Sequence, residues 1–168
     1  MSRLIPPRGQ LAPLALERFA LALAASPEDW QERLTPADLN ARCYAEIWSD
    51  ENVNAWAIRW SDDADTGFHD HDVAAAGIAV IEGLVVEERL TLGGPPIARH
   101  FGHGSSFHLS ASAIHRVRHG GGGTALTVHA YSPPLRVQGV YRITDDGALE
   151  RDVVPYTEEL HGELAVAA

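Results

Sequence analysis

The chain has 168 residues, a length that fits one domain able to bury a hydrophobic core. Cys43 is the only cysteine, so an internal disulfide is impossible, and this suits a reducing cytoplasm. The 23 acidic and 13 basic residues give a net charge of -10 with no basic stripe, which argues against a nucleic-acid partner. We expect a cytoplasmic protein that does not bind nucleic acid.

Residues 1–42 predict a helical segment that packs on the outside of the remaining part of the domain, residues 43–168. A secretory signal is not expected here, because the charged pair Glu17-Arg18 interrupts the apolar run. No stretch of the sequence is long and apolar enough to span a membrane, so we expect no membrane partner. The apolar residues that fit a short, mostly buried helix are Leu14, Phe19, Leu21 and Leu23.

Two further helix starts follow in this segment. Ser26-Pro27-Glu28-Asp29 has the order of an N-cap, a proline at the first helical position and an acidic first turn. This order predicts a second helix through Trp30 to Leu34. Thr35-Pro36-Ala37-Asp38 repeats the pattern and predicts another small helix.

From about residue 43 the sequence consists of short segments rich in Val, Ile, Trp and Tyr, separated by turn residues. Strands of this length and spacing predict an all-β jelly roll or small barrel, the architecture that includes the cupins. Four glycines from Gly120 lack the Lys-Ser/Thr ending of a phosphate-binding loop and predict a flexible hairpin. The predicted strands are 44–48, 55–60, 77–81, 84–92, 106–109, 114–118, 125–130 and 138–143, and the predicted turns are 82–83, 93–96, 120–123 and 145–147.

The stretch Thr66-Gly67-Phe68-His69-Asp70-His71 contains two histidines between apolar runs. Alternate side chains of an extended chain point to the same face, so His69 and His71 share a face and Asp70 points away. Two imidazoles on one face form half of a metal site. In isolation, such a triplet fits a pair of satisfied or exposed histidines equally well.

A third histidine ligand could come from the later stretch Ala113 to His119. If the strands form a barrel around a pocket, an inward histidine here would meet His69 and His71. His115 and His119 share one face of a strand, so periodicity does not choose between them.

Several motifs, taken together in this order, resemble the cysteine dioxygenase family of thiol dioxygenases, which are cupins that hold ferrous iron with three histidines. The resemblance covers about Trp56 to Leu135. It implies a cupin barrel, which follows the short N-terminal helices predicted above, and in this barrel His69, His71 and His115 bind Fe(II) and His119 lies outside the site. The motifs are Trp60, Gly67-Phe68-His69-Asp70-His71, Val80-Ile81-Glu82-Gly83 with Glu87 and Glu88, Ile114-His115-Arg116-Val117, and Val128-His129-Ala130-Tyr131-Ser132-Pro133-Pro134-Leu135.

The residue types suit this chemistry. Three neutral imidazoles leave positions on an octahedral ion where a substrate thiolate and dioxygen can bind together. Many cupins add a glutamate to the first histidine motif, but Ala76 occupies that place, which favours an all-histidine site. Three histidines and a water also form a zinc site, and ligand chemistry alone does not separate the two metals.

Thr127, His129 and Tyr131 alternate along a predicted strand, so their polar groups share one face. A threonine hydroxyl can orient the histidine, the histidine can polarise the tyrosine, and the tyrosine can donate a hydrogen bond to a bound species. The family has Ser-His-Tyr at the matching place, so the resemblance implies that these three residues are catalytic. Without the resemblance, Tyr131 before Ser-Pro-Pro also fits a plain strand end.

A substrate carboxylate would need a cation, and arginine suits this task because its planar fork pairs with both oxygens. The resemblance places the family's arginine nearest Arg42. Related three-histidine dioxygenases place it after the Ser-Pro-Pro turn, where Arg136 and Arg142 lie. We expect Arg42 to bind the substrate, with Arg142 as the second choice, although each also fits an ordinary surface arginine.

The expected function is a non-haem iron(II) dioxygenase that oxidises a small thiol, such as cysteine or 3-mercaptopropionate, to its sulfinic acid with O2. One alternative is a zinc or nickel cupin that catalyses hydrolysis or isomerisation with His129 as general acid/base. Another is a non-enzymatic cupin that binds a small ligand.

Overall fold

The computed structural model describes residues 5–34 and 43–156. Within these ranges the chain forms one α-helix, two short 3-10 turns and eleven strands. The helix α1 is Pro13–Ala24, and the 3-10 turns are Pro27–Asp29 and Gln31–Arg33. The strands are β1 Cys43–Ser49, β2 Asn54–Trp60, β3 His69–Asp70, β4 Ala75–Glu82, β5 Leu84–Thr91, β6 Gly94–Gly102, β7 Ser106–Leu109, β8 His115–His119, β9 Ala125–Ser132, β10 Val137–Ile143 and β11 Leu149–Pro155.

The strands form two antiparallel sheets that pack face to face. One sheet has the order β1-β2-β9-β4-β7 and the other has the order β11-β10-β3-β8-β5-β6. Three neighbouring pairs are consecutive strands, β1–β2, β5–β6 and β10–β11, and the other neighbours are distant in the sequence, as expected for a jelly roll. Alternate residues of both sheets fill the space between them, and the inner core includes Trp56, Ile58, Trp60, Ile78, Val80, Val85, Leu109 and Val117. The predicted all-β, two-sheet architecture is confirmed.

The helix α1 covers the outer face of the five-stranded sheet. Leu16, Phe19 and Leu23 pack there against small residues of the sheet, mainly alanines. Gly77 on β4 permits this close approach, because a Cβ at that position would lie 2.2 Å from the carbonyl carbon of Leu16. The helix α1 therefore covers the outer face of the five-stranded sheet, and the second sheet covers its inner face. The site lies on the inner face.

The buried side of α1 differs in part from the prediction. Phe19 and Leu23 are buried as expected, but Leu14 and Leu21 are 51% and 37% exposed. Leu16 and Ala20 lie in the contact instead, because the stripe that faces the sheet follows the spacing i, i+3, i+4, i+7 from residue 16.

The segment predicted to form a second helix also differs from the prediction. The segment after Ser26 forms two 3-10 turns rather than one helix, and the Ser26 side chain makes no capping hydrogen bond. The indole of Trp30 donates a hydrogen bond of 2.9 Å to the carbonyl of Leu23, so the chain folds back onto α1. The helix predicted at 35–38 lies outside the described residues.

All eight predicted strands are present, but three strands were not predicted. The strand β3 is only two residues long, while β6 and β11 are largely exposed strands at the edges of their sheet. The predicted turn at 93–96 is shorter, because Gly94 already pairs with Thr91 in the β5–β6 hairpin. Prolines are tolerated in β6 because it is an edge strand.

The glycine run Gly120–Gly123 is not a hairpin. It connects β8 in one sheet to β9 in the other sheet. In the part of the chain that the structure describes, no helix is long and apolar enough to cross a membrane.

Candidate metal centre

Three buried histidines meet between the sheets. His69 and His71 lie on and directly after β3, and His115 begins β8 directly opposite His69 in the β3–β8 ladder. The ring centroids are 4.5 Å apart for His69 and His115, 5.0 Å for His71 and His115, and 5.1 Å for His69 and His71. One ring nitrogen of each histidine lies within 4.8 Å of the others, so the three could hold one ion.

The spacing of the nitrogens fits a shared ion. Nε2 of His71 and Nε2 of His115 are 3.3 Å apart. Two imidazole nitrogens that each bind one ion at about 2.1 Å lie about 3 Å apart for cis or tetrahedral ligands. The two rings therefore need only a small adjustment to become ligands of the same metal.

Two of the three histidines, His71 and His115, have a lowered pKa, which favours the neutral form that binds metal. Burial, together with the neighbouring His69 and His129, holds the pKa of His71 well below its ordinary value. Burial and the same neighbours lower the pKa of His115 in the same way. Neutral imidazole is the metal-binding form, so these residues are ready to bind an ion at neutral pH.

A hydrogen bond orients the ring of His69, and a carboxylate lies near the ring of His115. Nδ1 of His69 donates a hydrogen bond of 3.0 Å to the carbonyl of Gly67, which puts the lone pair on Nε2. Nδ1 of His115 lies 3.7 Å from Oε1 of Glu87. This separation is longer than a hydrogen bond, so the carboxylate lies behind the ring without being bonded to it.

Glu87 is fully buried and forms an ion pair of 2.5 Å with Nε of Arg89. Burial raises the pKa of Glu87, and Arg89 partly opposes this effect. Sequence reasoning quoted this residue only as part of the family resemblance and did not assign it a role. A carboxylate directly after the apolar run Leu84-Val85-Val86 was the available signal, because an acidic residue is rarely buried without a partner.

Asp70, between the first two histidines, points away from them as predicted. Its carboxylate accepts hydrogen bonds from Nε and Nη2 of Arg151 at 2.7 and 2.9 Å and from the hydroxyl of Tyr141 at 2.6 Å. The backbone amides of Asp72 and Gly139 donate at 2.8 and 3.1 Å. Burial alone would raise the pKa of Asp70, but these hydrogen bonds hold it well below its ordinary value. Asp70 thus anchors the backbone that carries both histidines.

A chain of polar side chains on β9 lies beside the histidines. Thr127, His129 and Tyr131 are buried on the inner face, as the alternation predicted. Nε2 of His129 is 2.9 Å from Oγ1 of Thr127, and Nδ1 of His129 is 3.3 Å from the hydroxyl of Tyr131. The ring of Tyr131 lies 4.9 Å from the ring of His71, so the chain ends next to the histidine cluster.

Trp60 supports the other end of this chain. Its Nε1 donates a hydrogen bond of 2.8 Å to Oγ1 of Thr127. Because the indole can only donate, it occupies an acceptor position of the threonine oxygen and leaves the threonine hydroxyl proton to be shared with His129. The Trp60 contact therefore has a fixed direction, and the direction of the two His129 contacts depends on the tautomer of that ring.

His119 and Arg142 lie elsewhere. His119 accepts a hydrogen bond of 3.0 Å from the amide of Gly121 and lies against the carbonyl of Gly123, away from the cluster. Arg142 is 62% exposed and forms an ion pair of 2.7 Å with Glu150 at the surface. Arg42 lies outside the described residues.

No protein-family model matches the sequence, and no curated protein matches it. Solved structures do match. The protein TT1209 from Thermus thermophilus is 18% identical with a TM-score of 0.51, and the match covers 62% of this chain and 94% of that chain. BH2720 from Bacillus halodurans is 16% identical with a TM-score of 0.51, covering 54% of this chain and 70% of that chain.

The cupin domain of Cnp3 from Schizosaccharomyces pombe is 9% identical with a TM-score of 0.50, covering 59% of this chain and 66% of that chain. At such identities a likeness shows the fold alone. The two antiparallel sheets agree with it. The chain therefore has a cupin fold, and its barrel holds a cluster of three histidines that could bind a metal ion.

Proposed function

We propose that the protein is a non-haem iron(II) thiol dioxygenase that converts a small thiol, such as cysteine or 3-mercaptopropionate, to its sulfinic acid. The reaction is RSH + O2 → RSO2H. Both oxygen atoms enter the product, and the sulfur supplies the four electrons that reduce O2, so no further reductant is needed. The observation that carries this proposal is the cluster of three buried histidines beside the polar side chains of Thr127, His129 and Tyr131.

The ligand set supports an ion that keeps its full charge. His69, His71 and His115 bring no negative charge, and Ala76 stands where many cupins have a glutamate ligand. Ferrous iron, when bound, would supply neighbouring coordination positions for the substrate sulfur and for dioxygen. Because the protein adds no negatively charged ligand, the positive charge of a bound ion would favour binding of the substrate as a thiolate.

The residues of β9 have a consistent role in proton positioning. Thr127 accepts from the Trp60 indole and donates its own proton to Nε2 of His129. His129 then carries its proton on Nδ1 and donates it to the oxygen of Tyr131. The Tyr131 hydroxyl donates in turn to the bound substrate or to an oxygen atom of the reacting complex.

Purified protein tests the metal and the reaction together. We expect iron to be the main metal by elemental analysis of protein expressed without added metal, and we expect O2 uptake with at least one of cysteine, 3-mercaptopropionate and cysteamine. With labelled dioxygen, mass spectrometry should find two heavy oxygen atoms in the sulfinic acid. Zinc or nickel without O2 uptake would instead support the hydrolase or isomerase, and an absence of turnover with a bound small ligand would support the non-enzymatic cupin.

A further inference from the structure

Gln138 on β10 is a buried side-chain amide without a partner in the part of the chain that the structure describes. The residue is 0% exposed, and neither Oε1 nor Nε2 makes a hydrogen bond there. Burial of an unsatisfied polar group costs free energy, so each such group needs an explanation. A ligand that pairs with both atoms would provide one.

Asn54 provides a matched comparison, because it is the other buried side-chain amide among the described residues. Its Nδ2 donates a hydrogen bond of 3.0 Å to the carbonyl of Leu135, and its Oδ1 accepts one of 2.8 Å from the amide of Leu135. Asn54 thus holds the segment that follows β9. Gln138 makes no contact of this kind, so backbone support does not explain its amide.

The register of the sheet places Gln138 at the histidine cluster. Val140 of β10 lies directly opposite His69 of β3 in an antiparallel ladder. Two residues earlier on β10, Gln138 is level with His71. Opposed and alternate residues of a ladder share a face, so the Gln138 side chain lies on the face that carries both histidines.

The residue between Gln138 and Val140 lies on the other face, as this alternation requires. The amide of Gly139 donates to the Asp70 carboxylate, and a Cβ at Gly139 would lie 2.2 Å from Nε of Arg151. The ion pair of Asp70 with Arg151 therefore occupies the outer face. Gln138 is directed to the inside of the barrel, where the candidate metal centre lies.

We infer that Gln138 binds the head group of the substrate, the polar end of the small thiol that lies opposite its sulfur. This inference rests on the proposed function for the identity of the ligand. A side-chain amide offers one acceptor oxygen and two donor hydrogens. The matching ligand therefore carries an amine, hydroxyl or carboxylate group, and a plain alkyl thiol would leave the amide unsatisfied.

The test measures thiol binding without turnover, in protein loaded with cobalt(II) under nitrogen. The Gln138→Leu substitution keeps a similar volume and removes both hydrogen-bonding atoms. Binding of cysteine, cysteamine, 3-mercaptopropionate and 1-propanethiol is followed by thiolate-to-cobalt absorption. We expect the Kd of at least one thiol with a polar head group to rise by about 10- to 100-fold in the variant, the range for one or two lost hydrogen bonds. The Kd of 1-propanethiol should stay unchanged.

The stability of the metal-free protein separates ligand binding from a structural role. Gln138→Leu should leave the melting temperature unchanged or raise it, because the substitution removes two unsatisfied polar atoms. Asn54→Leu, the matched control, should lower the melting temperature, because it breaks two hydrogen bonds that the structure contains.

Three results would overturn the inference. One is equal binding of every polar thiol by the parent protein and Gln138→Leu; in that case O2 uptake by the parent would still support the proposed function. Another is a loss of stability in Gln138→Leu as large as that in Asn54→Leu, which would assign the amide to packing. If the parent neither binds nor oxidises any of the four thiols, the proposed function fails, and the inference fails with it.

Discussion

Asp70 anchors the segment that carries two of the three histidines, and the Asp70→Asn substitution tests this role. The change keeps the shape of the side chain and removes its charge. The remaining oxygen can still accept from the backbone amides of Asp72 and Gly139. The new amide nitrogen would face Nε of Arg151, a donor, where the carboxylate has Oδ2. The variant therefore loses the ion pair and places two donors against each other.

The expected loss of stability follows from the hydrogen bonds that the substitution removes. A hydrogen bond to a charged group contributes about 1.5–3 kcal/mol, and two of them join Asp70 to Arg151. The Arg151 side chain is 34% exposed, so solvent screening reduces the sum. We expect Asp70→Asn to lower the free energy of unfolding by about 2–4 kcal/mol, which corresponds to about 4 to 16 °C in Tm for a domain of this size.

Metal affinity should fall with stability, because His69 and His71 flank the anchored residue. Loss of a group that orients metal ligands costs about 10- to 100-fold in affinity. Asp72→Asn is the matched control: its carboxylate is 42% exposed and 3.6 Å from Nη2 of Arg151, so little change is expected. Thermal unfolding and competition with a metal chelator measure the two quantities in the same preparations.

The stability that Asp70 contributes should depend on pH in a direction set by its lowered pKa. The folded-state pKa of Asp70 is lowered, so its contribution is fully present above the unfolded value of about 3.9 and is lost as pH falls through the folded value. The difference in Tm between the parent and Asp70→Asn should be full at pH 7 and shrink below about pH 4. Equal effects of Asp70→Asn and Asp72→Asn at pH 7, or unchanged metal affinity in Asp70→Asn, would refute the reasoning.

Three further substitutions test the site and the packing behind it. His115→Ala should remove most of the bound metal by elemental analysis while His119→Ala retains it, and the reverse pattern would reassign the third ligand. Tyr131→Phe should keep iron content and fold but lower kcat by about 10- to 1,000-fold, as for loss of a positioned proton donor; an unchanged rate would leave Tyr131 a packing role only. Gly77→Ala should destabilise the protein by about 1–3 kcal/mol in denaturant unfolding, because the new Cβ would lie 2.2 Å from the Leu16 backbone, and full stability would contradict the close helix contact.

The third histidine shows where sequence reasoning stops. Strand periodicity places His115 and His119 on the same face of β8, and both are buried. The two positions are about 13 Å apart along the strand, so only one can lie at His69. The pairing of His69 with His115 shows that His115 is the histidine beside His69. This register depends on contacts between distant parts of the chain.

The edge strands were missed for a related reason. The strands β6 and β11 are exposed along most of their length, so neither shows the apolar alternation that marks a half-buried strand. Two prolines near the start of β6 also favour the prediction of a turn there. Each strand is held by hydrogen bonds to its neighbour, and local sequence does not encode those partners strongly.

The sequence by itself determined the all-β class, the shared face of His69 and His71, and the shared face of Thr127, His129 and Tyr131. These features depend on the two-residue repeat of an extended chain, which is a local property. Only the tertiary structure decided that Arg151 anchors Asp70, that Glu87 lies behind His115, and that the Gln138 amide is buried without a partner among the described residues. The first two join strands that are far apart in the sequence, and the third follows from the place of β10 beside β3, so all three depend on sheet order and register, which form only when the whole barrel is assembled.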